Sequence, residues 1–125
     1  MLPYRKLDAW KSSNALTLAI YQLTKDEGGR DPQLVRRLRH LALRTTGKIA
    51  FGSGTHNYKM FRAAVARSSG YLAEFGYYLS LARVMAVLPE KVCDQVDALR
   101  GRAAFYTFQL LNSLLAPRDP KKRDR

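Results

Sequence analysis

The chain is poor in the groups from which most catalytic and metal sites are built. It has one cysteine, Cys93, and two histidines, His40 and His56. A lone cysteine excludes an internal disulfide framework and gives no sign of an oxidising compartment. Neither histidine has a cysteine or a paired carboxylate at metal-ligand spacing. Cys93 lies beside Val92 and Val96, where a small buried hydrophobe is expected rather than a nucleophile. Gly52-Ser53-Gly54 is too short for a phosphate loop, and no Gly-Lys-Ser/Thr follows it. The expectation is a protein with no catalytic residues, no metal and no cofactor.

Long apolar runs are missing as well. None reaches the roughly 18 residues that suggest a membrane span. No basic, apolar and small-residue succession opens the chain as a secretory leader does. A cytoplasmic protein is expected. Strand-type alternation and hairpin signals are lacking, so a sheet is not expected. Acidic residues are the last scarcity: 10 Asp and Glu stand against 22 Lys and Arg, for a net charge of +12.

That excess is concentrated. Between Arg30 and Arg67 there are nine basic residues and one acid, Asp31, so +8 of the +12 lies in this stretch. Such a field favours polyanions and speeds encounter with them.

What is present is helical periodicity. Leu7, Trp10, Asn14, Leu18 and Tyr21 recur every three or four residues and predict a first helix from about Leu7 to Lys25. Two glycines end it. Asp31-Pro32 is a capping pair for a second helix, with Leu34, Leu38, Leu41, Thr45 and Ile49 as its inner stripe. A third helix from about Asn57 to Leu88 carries a heptad seam, Phe61, Val65, Ser68, Leu72, Phe75, Leu79, Ala82 and Ala86. A fourth, from about Glu90 to Leu115, carries Val92, Val96, Leu99, Ala103, Tyr106 and Leu110. Asp94 and Asp97 suit its positive N-terminal end. Short breaks between amphipathic helices predict an all-α fold, an antiparallel up-down four-helix bundle over residues 1–116. Residues 117–125 form a basic tail expected to be frayed.

Several helices carry a second apolar seam. On the third helix Ala64, Tyr71, Tyr78 and Met85 recur every seven residues. On the first, Leu16, Ile20 and Leu23 lie away from the main stripe; on the fourth, Phe105, Phe108 and Leu111 lie beside it. A monomer rarely leaves such patches in water. Leu16, Ile20, Tyr71, Tyr78, Met85 and Phe108 are therefore expected at the interface of a homo-oligomer.

On a helical wheel the second helix opposes its inner stripe with Arg36, Arg37, His40, Arg44 and Lys48. Like charges this close repel, and phosphate relieves them through charge-assisted, often bidentate bonds. Lys59, Arg62 and Arg67 at the start of the third helix extend the patch. The expected nucleic-acid-binding residues are Arg36, Arg37, His40, Arg44, Lys48, Lys59 and Arg62. No zinc-finger spacing or aromatic RNA-recognition strand accompanies them, so backbone or shape recognition is expected.

The order of several short segments resembles a known family. Tyr4-Arg5-Lys6-Leu7-Asp8-Ala9-Trp10-Lys11 is similar to the opening of the four-helix proteins encoded in intervening sequences of bacterial 23S ribosomal RNA genes. Tyr21-Gln22-Leu23-Thr24, Leu34 through Arg39, Ile49-Ala50-Phe51-Gly52-Ser53-Gly54 and Gly70-Tyr71-Leu72-Ala73-Glu74 resemble that family's later motifs in the same order. The likeness spans residues 4–116. It departs at Lys48, Phe51 and Tyr71, where the family carries Asn, Glu and Ser. The resemblance implies a bundle assembled as a five-fold ring. It also implies kinship with the basic pentameric accessory protein of diversity-generating retroelements, which binds a reverse transcriptase and nucleic acid. Two readings follow. One is a pentameric, non-enzymatic scaffold for nucleic acid, with RNA expected. The other is a protein–protein assembly or adaptor module, for instance a reverse-transcriptase accessory subunit.

Overall fold

Residues 3–26 and 30–115 are described in a computed structural model of the chain. The expected tail, 117–125, lies outside the described residues. A short 3-10 turn, Tyr4–Lys6, leads into four helices: α1 (Asp8–Leu23), α2 (Pro32–Gly54), α3 (Tyr58–Val84) and α4 (Glu90–Leu115). α1 packs on α2 and α4, and α3 packs on α2 and α4, while the diagonal pairs stand further apart across the core. This is the all-α four-helix arrangement that the periodicity predicts. No described helix is long and apolar enough to cross a membrane.

The caps explain where the helices begin. Asp31 Oδ1 accepts the Leu34 amide at 3.0 Å, and Pro32 takes the first helical position, where no amide is needed. Asn57 Oδ1 accepts the Met60 amide at 3.0 Å and starts α3. α3 ends four residues before the sequence predicts. Val87 N bonds to Ala82 O at 2.8 Å and Ala86 N to Arg83 O at 3.2 Å, a pair of bonds that wraps the helix end. The wrap puts Ala86 at φ 53°, in the left-handed region. Val87 and Leu88 then turn inward and are buried, so their apolar character reads as helix although they form the turn. A side chain in this conformation costs about 1 kcal/mol relative to glycine. Ala86→Gly is expected to raise stability by about 1 kcal/mol, measured as the urea midpoint with an unchanged slope.

The inner stripe of α2 and the heptad seam of α3 are buried as expected, apart from Ala86. α1 is rotated from the expected phase. Leu18 is 64% exposed and Tyr21 40%, whereas Leu16 and Ile20 are fully buried. Leu16 and Ile20 are therefore core residues of the single chain and not a subunit interface. The inward face of α1 consists of Ala9, Ser12, Ser13, Leu16, Thr17 and Ile20, with Thr24 just beyond it. Small hydroxyl residues take half of that face, so an apolar count assigns the helix to the wrong side.

One of those hydroxyls, that of Thr17, belongs to a polar layer running over α1, α2 and α3. Thr17 Oγ1 lies 2.9 Å from Ala42 O and 2.9 Å from Thr46 Oγ1, and Ser68 Oγ donates to Thr45 O at 3.1 Å. The large apolar cluster around Phe75, Leu38 and Leu72 is thereby set apart from a smaller one of Phe61, Val65 and Leu114. Ser13 Oγ and Thr107 Oγ1 are buried with no hydrogen-bond partner. An orphaned buried hydroxyl is destabilising, and an isosteric methyl removes the penalty. Thr107→Val is expected to stabilise by about 1 kcal/mol, or some 3–5 °C in Tm. Thr17→Val, which breaks an interhelical contact, is expected to lower Tm.

Candidate nucleic-acid interface

Burial of Leu34, Leu38, Leu41, Thr45 and Ile49 fixes which arc of α2 faces water. Arg36, Arg37, His40 and Arg44 fall on that arc and are exposed. α3 runs antiparallel beside it. Arg37 and Arg44 are one heptad apart on α2, and Tyr78 and Tyr71 are one heptad apart on α3. The Arg44 guanidinium lies 4.7 Å from the centre of the Tyr71 ring, and its Nη2 donates to the Tyr71 hydroxyl at 2.8 Å. Arg37 lies 5.4 Å from the Tyr78 ring, with Nη1 to the hydroxyl at 3.4 Å. Each ring attracts the cation by about 0.5–1 kcal/mol. One nitrogen of each fork is thus held by a tyrosine while the other donors remain available. The two forks stand about 10 Å apart along α2, two helical turns.

Arg36, Arg37, His40, Arg44 and Tyr71 line one open groove of about 720 Å³ with Tyr21, Arg39 and Glu74. Arg39 stacks 5.0 Å over the Tyr21 ring and donates from Nε to Thr24 Oγ1 at 2.9 Å. Glu74 is the one carboxylate in the lining, and it makes no ion pair with any of these arginines. The ion pairs among the described residues lie elsewhere, joining Arg83 to Glu90 and Asp94, and Arg100 to Asp97. Asp94 holds the Arg83 guanidinium above its ordinary range, chiefly by a hydrogen bond. Glu90, Asp94 and Asp97 thus pair with arginines at α3 and α4, and among the described residues no ion pair reaches the α2 ridge.

Four of the seven expected binding residues, Arg36, Arg37, His40 and Arg44, share the groove. Lys48 does not. It lies 5.0 Å over the Phe51 ring and lines a separate groove of about 150 Å³ with Arg67 and Met60. Arg62 lines neither groove and lies 5.9 Å from the centre of the Tyr58 ring, whose hydroxyl donates to Leu114 O. Five residues separate Arg62 from Arg67, a rotation of about 140° on a helix, so of the two only Arg67 joins Lys48 in the smaller groove. Lys59 is exposed but lines neither groove.

The expected interface divides similarly. Tyr71 and Tyr78 are half-buried against the core and capped by arginines, so they belong to the basic ridge. Met85 and Phe108 remain exposed. Tyr21 and Arg39 are the contributors that sequence reasoning missed. Their signal was cross-helix pairing, which only the true phase of α1 makes visible.

Chemistry of other kinds finds little here. Among the described residues no group of His, Cys, Asp and Glu has the makings of a metal site. Cys93 is buried, its Sγ lies 3.8 Å from Leu88 O, and burial pushes its thiol pKa up, away from the reactive thiolate. Neither a protein-family model nor a curated protein matches the chain.

Proposed function

We propose that the protein is a non-enzymatic, self-assembling basic scaffold that binds nucleic acid, with RNA as the expected form, through its phosphates. The supporting observation is the α2 ridge, where Arg37 and Arg44 are steadied by tyrosines and paired with no carboxylate. Arginine forks suit phosphate oxygens, and oriented forks lose less freedom on binding. The exposed apolar residues Met85 and Phe108 favour assembly, and the family resemblance of residues 4–116 favours a ring of five. No base-reading element accompanies the ridge, so recognition goes to backbone and shape.

Protein purified without a high-salt wash is expected to carry nucleic acid, visible as a raised ratio of absorbance at 260 to 280 nm. Failure to retain either co-purified or added structured RNA at about 50 mM salt, where such contacts are strong, overturns the reading.

A further inference from the structure

A groove suited to phosphate holds one group that repels it. Glu74 is the only acid of α3 and the one carboxylate among the arginines of the groove. It is exposed, and among the described residues it has no hydrogen bond or ion pair. An intrachain salt bridge therefore gives no reason for it. Beside the guanidinium groups of Arg36, Arg37, Arg39 and Arg44, a carboxylate weakens their pull on phosphate. Whatever it gains on binding must come from a group that donates to it.

Its place along the groove follows from the two tyrosines. Tyr71, Glu74 and Tyr78 are three and four residues apart, so they share one face of α3. Tyr71 accepts from Arg44 at 2.8 Å and Tyr78 from Arg37 at 3.4 Å. Glu74 thus stands between the two forks, about 4.5 Å along the helix from Tyr71 and about 6 Å from Tyr78. The groove reads in order cation, carboxylate, cation.

Only one of the two nucleic acids matches that order. Any two phosphates of a strand have at least one sugar between them. A ribose carries a 2′-hydroxyl, which can donate; between its ends, the backbone of DNA has no donor. An ionised carboxylate only accepts. Tyr21, Tyr71 and Gln33, the neutral polar side chains of the lining, can each donate and accept, so they suit either sugar. Glu74 alone gains a bond from an RNA backbone and meets nothing but repulsion from a DNA backbone.

We infer that Glu74 is the specificity residue that makes this groove select RNA over DNA. Its carboxylate accepts the hydrogen bond of a 2′-hydroxyl while Arg37 and Arg44 hold the phosphates on either side. The inference rests on the phosphate-binding reading above and assigns its choice of sugar to one residue.

The test uses the nuclease-treated full chain and three hairpins of one sequence: RNA, its 2′-fluoro form and DNA. The 2′-fluoro form keeps the A-type duplex and the base edges of the RNA but lacks the donor. At about 50 mM salt, where phosphate contacts are strong, the natural chain is expected to bind the RNA about 10-fold tighter than the 2′-fluoro form. That is the scale of one charge-assisted hydrogen bond. Glu74→Ala is expected to bring the ratio close to one, chiefly by tightening the 2′-fluoro and DNA complexes as repulsion is lost. Glu74→Gln, whose amide oxygen still accepts, is expected to keep part of the preference. Glu74 is exposed, so the helical circular dichroism of both variants is expected to stay unchanged. A contact of Glu74 with base amino groups, or a purely structural role, would shift the RNA and 2′-fluoro complexes together. A ratio unchanged by Glu74→Ala, or a natural chain that binds RNA and its 2′-fluoro form equally, overturns the role of Glu74 and leaves phosphate binding standing. A natural chain that binds none of the three hairpins overturns both.

Discussion

Reversing the charge at two positions, Arg37→Glu with Arg44→Glu, is expected to lower RNA affinity by more than about 100-fold at 50 mM salt. Each arginine supplies a charge-assisted bond of about 1.5–3 kcal/mol, and every 1.4 kcal/mol is tenfold in affinity. The glutamates add repulsion. The same change is expected to leave the bundle intact or firmer, because both residues are exposed and the ridge repels itself. Equilibrium RNA binding beside a thermal melt separates the two effects. Loss of binding together with loss of folding would mean that the arginines act through structure, with their tyrosine contacts as part of the core.

The second large effect is structural. Gly52 sits where α2 crosses α3. A Cβ there would stand 2.7 Å from Ala64 Cβ and 3.3 Å from the Phe61 backbone. No real Cβ tolerates the first distance, and the second neighbour is backbone that cannot rotate away. Gly52→Val is expected to cost about 3 kcal/mol, close to 10 °C in Tm, by prising the helices apart. It is also expected to loosen the small groove formed by Lys48, Phe51 and Arg67 in the same turn. Gly47 is the control. It lies mid-helix on the exposed side with nothing within 4 Å of a Cβ, so Gly47→Ala is expected to gain up to about 1 kcal/mol. A melt of the two variants checks both signs.

Gly52 also shows what the sequence withheld. Gly52-Ser53-Gly54 reads as the fading end of a helix, yet α2 continues through Gly54. Glycine there serves packing, and packing requires knowledge of the neighbour. α1 teaches the same point. Ser13 and Thr17 are polar by composition but buried by size, and the Thr17 hydroxyl bonds both within the helix and across it. Counting only large apolar side chains placed Leu18 and Tyr21 inward and sent Leu16 and Ile20 to the surface. α2 and α3 were legible because their inner stripes are nearly all large and apolar. The ridge was legible for a related reason: charge is almost never buried unpaired, so Arg36, Arg37, His40 and Arg44 had one place to go. The partnership of Arg37 with Tyr78 and Arg44 with Tyr71 was hidden, since it joins residues on two helices through an antiparallel register no single stripe reveals.

The neutral ridge variant puts the central claim to its most direct trial. Binding of a structured RNA is measured from about 50 to 200 mM salt for the natural chain and for Arg37→Gln with Arg44→Gln. Each phosphate neutralised contributes about −0.7 to −0.9 to the slope of log K against log salt. The natural chain is expected to show a slope of about −3 or steeper, and the variant a slope shallower by nearly two. An unchanged slope in the variant, or a natural chain whose affinity ignores salt, would contradict a phosphate-binding role for this ridge.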